Sequence, residues 1–200
     1  VAMQLQEGAD EHIPETFGGV RMMDPQRRWC GSAVSGFGIL YNRDLLRLRG
    51  VKAPAKWADL GDPAFHGLLA LADPTQSGSA AAAYEMIVQS SESWPAGWAR
   101  LLNVLANATR FHDSAGDAAN APVLGEAAAA TCIDFYGALR VAEAPKVMVY
   151  VSPKGETAFS PDPIAILKGP PHAVVAQHFV DFVLSARGQA LWALDVGAED

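Results

Sequence analysis

Two rhythms of apolar and polar positions alternate along this chain of 200 residues. Short apolar runs bounded by breakers read as buried strands: residues 68–72, stopped by Asp73-Pro74, and then 109–112, 129–133, 147–151 and 164–167. Between them apolar residues recur at helical spacing. Ser77-Gly78-Ser79 opens the clearest helix, in which Ala80 to Ala83 favour helix and Tyr84, Ile87, Val88 and Ser91 share a face. A second helix follows Pro95, with Trp98, Leu101, Leu102 and Leu105 as its apolar stripe. Residues 44–49 form a brief helix that Gly50 terminates, residues 57–63 a helical turn, and residues 123–127 another short helix. Towards the end, Val175, Phe179, Phe182 and Val183 make one stripe, and Gly188 separates it from a helix holding Leu191 and Trp192. The first 30 residues are turn-rich and lack a long periodic segment. Strands alternating with helices predict an α/β sandwich around a mainly parallel sheet.

Composition narrows the function classes. Half of the residues are hydrophobic and 18% are charged, so the chain can build cores and lies far from the disordered regime. A formal net charge of −7, without clustered Lys or Arg, argues against a nucleic-acid partner. There is no apolar run of bilayer-spanning length, and the first eight residues carry neither the basic start nor the apolar stretch of a secretory signal. Cys30 and Cys132 fit no metal or CxxC spacing and are expected as two buried free thiols.

Three junctions could carry chemistry. Asp73-Pro74-Thr75-Gln76-Ser77-Gly78-Ser79 joins a strand to a helix start, where unpaired N–H groups and a partial positive charge suit an oxyanion. Gly78 allows close backbone approach and Ser77 and Ser79 add hydroxyls; simple helix capping by a serine is the alternative. Ile133-Asp134-Phe135-Tyr136-Gly137 lies at the carboxyl end of a strand, where ligands bind in open α/β sheets. There Asp134 and Tyr136 could meet a metal ion, an ammonium group or sugar hydroxyls, or else cap and pack. His112-Asp113-Ser114 also follows a strand end. No GxSxG, HExxH, Walker A or GxGxxG pattern is present, and the histidines (His12, His66, His112, His172 and His178) lack ligand spacing, so an enzyme is not expected.

The ordered set of motifs resembles the family 1 extracellular solute-binding proteins of ABC transporters, in their ferric-iron-binding-type branch with the class II periplasmic-binding fold. It comprises Arg28-Trp29-Cys30-Gly31 with residues 35–42, Trp57-Ala58-Asp59-Leu60 with Asp62-Pro63, and the 73–79 loop. It continues with Gly125-Glu126 leading to residues 133–137, then Asp162-Pro163-Ile164-Ala165, and residues 182–192. The resemblance implies a two-lobed α/β sandwich whose inter-lobe cleft closes by a hinge. It assigns residues 1–41 and 160–200 to a first lobe and 42–159 to a second. It also implies that the family's N-terminal third is missing, leaving the first lobe incomplete and the isolated chain prone to aggregate.

In ferric-binding relatives a Ser-Gly loop at a helix start holds a synergistic anion, a position that Ser77, Gly78 and Ser79 match. Adjacent tyrosines bind the iron; Tyr136 matches the first and Gly137 stands at the second. Asp113 and Asp134 match polar amides near the anion, and carboxylates there should repel a phosphate-like anion. Ser35 is expected to face these residues from the hinge side. The resemblance thus implies a periplasmic or extracellular membrane-anchored, monomeric protein that needs no cofactor and delivers a small polar solute to an ABC permease. Fe(III) or a ferric complex is one candidate ligand, with Tyr136 as its metal ligand. A phosphorylated sugar, a phosphonate or a polyamine is the alternative, and a transferase on the same fold the rival from another class.

Overall fold

The computed structural model describes residues 2–3 and 13–193. Near its start, Gly18 and Gly19 both hold positive φ, the two-residue turn that joins β1 (Thr16–Phe17) to antiparallel β2 (Val20–Arg21). Strand β3 (Cys30–Asn42) follows, and the Asn42 side chain accepts the Asp44 and Leu45 N–H groups to cap α1 (Arg43–Arg49). Gly50 closes α1 in the left-handed conformation, as the sequence predicts. Two 3-10 turns (Trp57–Gly61 and Pro63–Phe65) lead to β4 (Leu69–Ala72), α2 (Gly78–Gln89), α3 (Trp94–Ala106) and β5 (Ala108–His112). Then come α4 (Ala115–Leu124), β6 (Ala129–Ile133), α5 (Asp134–Glu143), β7 (Met148–Val151), β8 (Phe159–Ile164), α6 (Ala173–Leu184) and α7 (Ala186–Ala193).

By its internal contacts the chain divides into two units, one drawn from Val1–Val34 and Phe159–Asp200 and one from Ser35–Ala158. In the second unit the strands run in the order β5-β4-β6-β3-β7. The expectation of a mainly parallel sheet is corrected here. β4 runs parallel to β5 and β6, whereas β3 runs antiparallel to both β6 and β7. The reason is topological: β3 enters from the first unit and is not the product of a strand-helix-strand crossover, so the right-handed parallel rule does not govern it.

Strand β4 shows how the core is divided. Its Leu69 and Leu71 join Ile39, Trp57, Leu60, Ile87 and Val104 in the main core, while Ala70 faces the opposite way towards Ala121, Ala127 and Ala130. Those alanines let α4 lie close on the sheet. Of the stripe expected on α3, Leu101 is buried and Leu105 half-buried, whereas Trp98 and Leu102 are exposed and Gly97 and Val104 are buried in their place. The helix expected over residues 123–127 is instead the last turn of α4, which Gly125 stops in the left-handed conformation. The strand expected at 164–167 lies earlier, at β8.

The first unit is smaller. β8 pairs with β3, and the Ser32 hydroxyl donates to the Asp162 carbonyl at 2.9 Å. Gln189 of α7 donates to the Ser32 and Val183 carbonyls at 2.8 Å each. Its core cluster holds Met3, Cys30 and Val180. On α6 the buried residue is therefore Val180; Val175 and Phe179, expected on the packed stripe, are exposed. No described helix is long and apolar enough to cross a membrane.

Candidate functional site

Strands β5, β4 and β6 are neighbours and parallel, so their carboxyl ends lie at one edge of the sheet. Each end turns into a helix there: Ala72 leads to α2, His112 to α4 and Ile133 to α5. Three helix N-termini, with their unpaired N–H groups and partial positive charge, therefore converge on that edge. The Asp73 N–H donates to the His112 carbonyl at 2.8 Å and ties the first two loops together.

The three starts differ in charge. Ser114 caps α4 by accepting the Asp117 N–H at 3.0 Å, and the Asp117 carboxylate accepts the Ser114 hydroxyl at 2.7 Å, so α4 carries a carboxylate in its first turn. α5 carries Asp134 in the same place. Helix α2 carries none. Its cap is Ser77, buried, whose Oγ accepts the Ala80 N–H at 3.3 Å. A Cβ built on Gly78 would meet nothing within 4 Å, so the space in front of α2 is open. Ser79 lines a narrow crevice, too tight to admit a water molecule, together with Ala72, Ala80, Ala115, Thr131, Cys132 and Ile133. The strand edge thus joins Ser79 to the start of α4 and the end of β6. Upstream, Asp73 is turned into its own loop, accepting the Thr75 N–H and hydroxyl at 2.8 and 2.7 Å; those bonds hold its carboxyl below the usual range.

The other sequence-predicted residues sit as follows. Asp134 is half-buried and engaged: one oxygen accepts the Gly36 N–H at 2.7 Å and the other the Phe135 N–H at 2.8 Å. Tyr136 is half-buried, its ring beside Gly116 of α4 and 4.5 Å from the Phe135 ring. Ser35 is buried immediately before Gly36. Asp113 is exposed in the loop ahead of α4. His112 is buried, and burial holds its imidazole below the ordinary value.

Cys132 and Cys30 are free and buried, as expected; burial pushes the Cys132 thiol up to about 12, which leaves it unreactive. Among the described residues no group of three or more His, Cys, Asp or Glu is placed to hold a metal ion. Sequence reasoning missed Gly36 as the partner of Asp134 and the start of α4 as part of this edge. The Ser114-x-x-Asp117 signature ahead of an alanine-rich stretch was the signal for the latter.

The chain resembles known proteins in sequence and in fold. The chain is 34% identical over 161 residues to the phosphoglycerate transport regulatory protein PgtC of Salmonella typhimurium, a match covering 80% of this chain and 40% of that protein. Among solved structures it is similar to the periplasmic binding protein AfuA from Actinobacillus pleuropneumoniae with fructose-6-phosphate bound. That likeness has a TM-score of 0.82 and 24% identity, over 96% of this chain and 60% of the other. It is also similar to iron-bound HitA from Pseudomonas aeruginosa, at a TM-score of 0.68 and 18% identity over 96% and 60% of the two chains. This chain therefore spans about 40% of the length of its curated relatives. The fold shared with these neighbours is the two-lobed class II periplasmic-binding α/β fold. Residues 4–197 match the family described as bacterial extracellular solute-binding protein, and the chain belongs to that family.

Proposed function

We propose that the protein is the solute-capturing component of an ABC importer, working outside the cytoplasmic membrane, and that its ligand is a small phosphorylated organic anion. The observation that carries this reading is the charge contrast among the three helix starts. Only α2 presents its N–H groups and flanking serine hydroxyls to open space without a first-turn carboxylate. The Asp134 carboxylate, expected to repel such an anion, has both oxygens engaged by backbone N–H donors, from Gly36 and Phe135. A relative described as a phosphoglycerate transport regulatory protein and a neighbour with bound fructose-6-phosphate support the same ligand class.

Fe(III) remains the second reading, favoured by Tyr136 of α5, whose ring lies beside Gly116 near the start of α4, and by the likeness to iron-bound HitA. Against it stands Gly137. A Cβ there would lie 2.3 Å from Tyr150 Cδ2, so a second phenol beside Tyr136 has no room unless Tyr150 moves.

A thermal-shift series with 3-phosphoglycerate, fructose 6-phosphate, inorganic phosphate and ferric citrate separates the readings. Ligand at 100 times Kd adds about 2.7 kcal/mol, a rise of roughly 5–10 °C for a chain of this size. The expected result is a shift with a phosphorylated ligand that disappears in Gly78→Asp, which places a carboxylate where the anion would sit. A shift with ferric citrate alone, retained in Gly78→Asp and lost in Tyr136→Phe, would sink the phosphate reading.

A further inference from the structure

The chain passes between its two units twice, after Val34 and after Ala158. Just inside the second unit each passage is held by a side-chain hydrogen bond that regular pairing does not supply. The Gly36 N–H donates to Asp134 Oδ2 at 2.7 Å, across 98 residues of sequence. The Thr157 hydroxyl donates to the Phe37 carbonyl at 2.7 Å, across 120 residues. Both bonds land on consecutive residues of β3, at the point where its antiparallel ladder with β6 begins with Phe37 opposite Ile133. Asp134 follows Ile133 directly, so its carboxylate extends that ladder by one rung where the backbone of β6 has already turned into α5. The β3–β7 ladder begins two residues later, with Ile39 opposite Val151, and gives no support at Gly36.

From this geometry we infer that Asp134 and Thr157 form a paired pin that fixes both passages of the chain to the second unit. Asp134 is then a positioning residue and not a ligand contact. It also opens α5, one of the three helices whose starts meet at the strand edge. Resting on the function proposed above, the pin is the element through which a ligand at that edge stiffens the passages. The acceptor is a carboxylate and the bond is short, which makes it a charge-assisted hydrogen bond, stronger than a backbone rung.

Amide hydrogen exchange in the intact protein tests the pin without any ligand. Loss of a bond to a charged group should speed exchange at Gly36 by about ten- to a hundredfold in Asp134→Ala. The amides of Leu69–Ala72 and Ala129–Ile133 should keep their wild-type rates. Asp134→Asn keeps an oxygen acceptor and should recover part of the protection. Thr157→Val should speed Gly36 severalfold, because the adjoining anchor is lost.

Unchanged exchange at Gly36 in Asp134→Ala overturns the pin. So does a rise spread equally over the core strands in both Asp134 variants, which would report only loss of folding. No effect of Thr157→Val removes Thr157 from the pair. The coupling has its own arm: 3-phosphoglycerate or fructose 6-phosphate, whichever gives the thermal shift, should slow Gly36 exchange in the wild type but not in Asp134→Ala. Equal slowing in both overturns the coupling. If neither compound binds, the ligand class is wrong, while the exchange rates still decide the pin.

Discussion

Asp24 is buried and accepts four hydrogen bonds, from the Gln26 and Arg28 N–H groups and from both ends of the Arg28 guanidinium fork at 2.9 Å. Within the same turn Arg27 holds a φ of +55°, an unusual conformation for a side-chain-bearing residue, kept in place by its N–H bond to the Asp24 carbonyl. The Arg28 side-chain bonds, assisted by the backbone donors, hold the Asp24 carboxyl well below its ordinary 3.8. A depressed folded-state value stabilises the fold above about pH 4, where the unfolded carboxyl is already ionised, and that stabilisation is lost as pH falls further through the folded-state value. Urea titrations between pH 2 and 5 should therefore show the turn-bearing unit weakening below pH 4 in the wild type. Asp24→Asn should be weaker at neutral pH and flatter across that window. Parallel curves for the two proteins would show that Asp24 does not carry the acid sensitivity. At this scale the sequence was legible where one residue has one dominant role. Ser77 was recognisable as a cap, and both cysteines as buried thiols. The partners of Asp134 were not legible, because a bond spanning 98 residues leaves no local pattern.

Helices α2 and α3 meet through a glycine. A Cβ on Gly97 would lie 2.2 Å from the Val88 carbonyl oxygen, and no flexible side chain there can yield. Gly97→Ala should cost about 1–3 kcal/mol through overpacking, and a scan of the variant should show the main transition lowered by several degrees. A variant as stable as the wild type would mean that the helices separate freely. This contact also explains the misjudged face of α3. Glycine registers as neither apolar nor polar, so the pattern favoured Trp98 and Leu102 beside Leu101, while packing turned Gly97 and Val104 inward with Leu101. Helix α2 was legible because its cap, alanines and apolar spacing agree. The start of α4 was hidden by small residues: Ala118, Ala119 and Ala121 are buried against the sheet but give weak periodicity. The strand edge could be anticipated from strand-end loops, whereas the contrast in charge among the three helix starts needed the true start of α4.

At the scale of the whole molecule, every residue of the main core cluster, and of the two smaller clusters with it, falls between Phe37 and Val151. The second unit therefore has a self-contained core, while the first unit shares none of those residues and draws on both ends of the chain. A fragment of residues 35–158 should fold cooperatively alone, with near-UV circular dichroism and a single thermal transition. A fragment that binds hydrophobic dyes and melts without a transition would show that the remaining residues complete its core.

The same discontinuity sets an order of events during synthesis. Residues 35–158 leave the ribosome as one stretch, whereas residues 13–34 must wait for their partners in β8, α6 and α7, which are translated later. At about 5–20 residues per second that delay lasts seconds, far longer than strands and helices take to form. The nascent chain thus carries a finished second unit before the first can be completed. A stop codon just beyond Ala158 would release the second unit without the β8, α6 and α7 that the first unit needs.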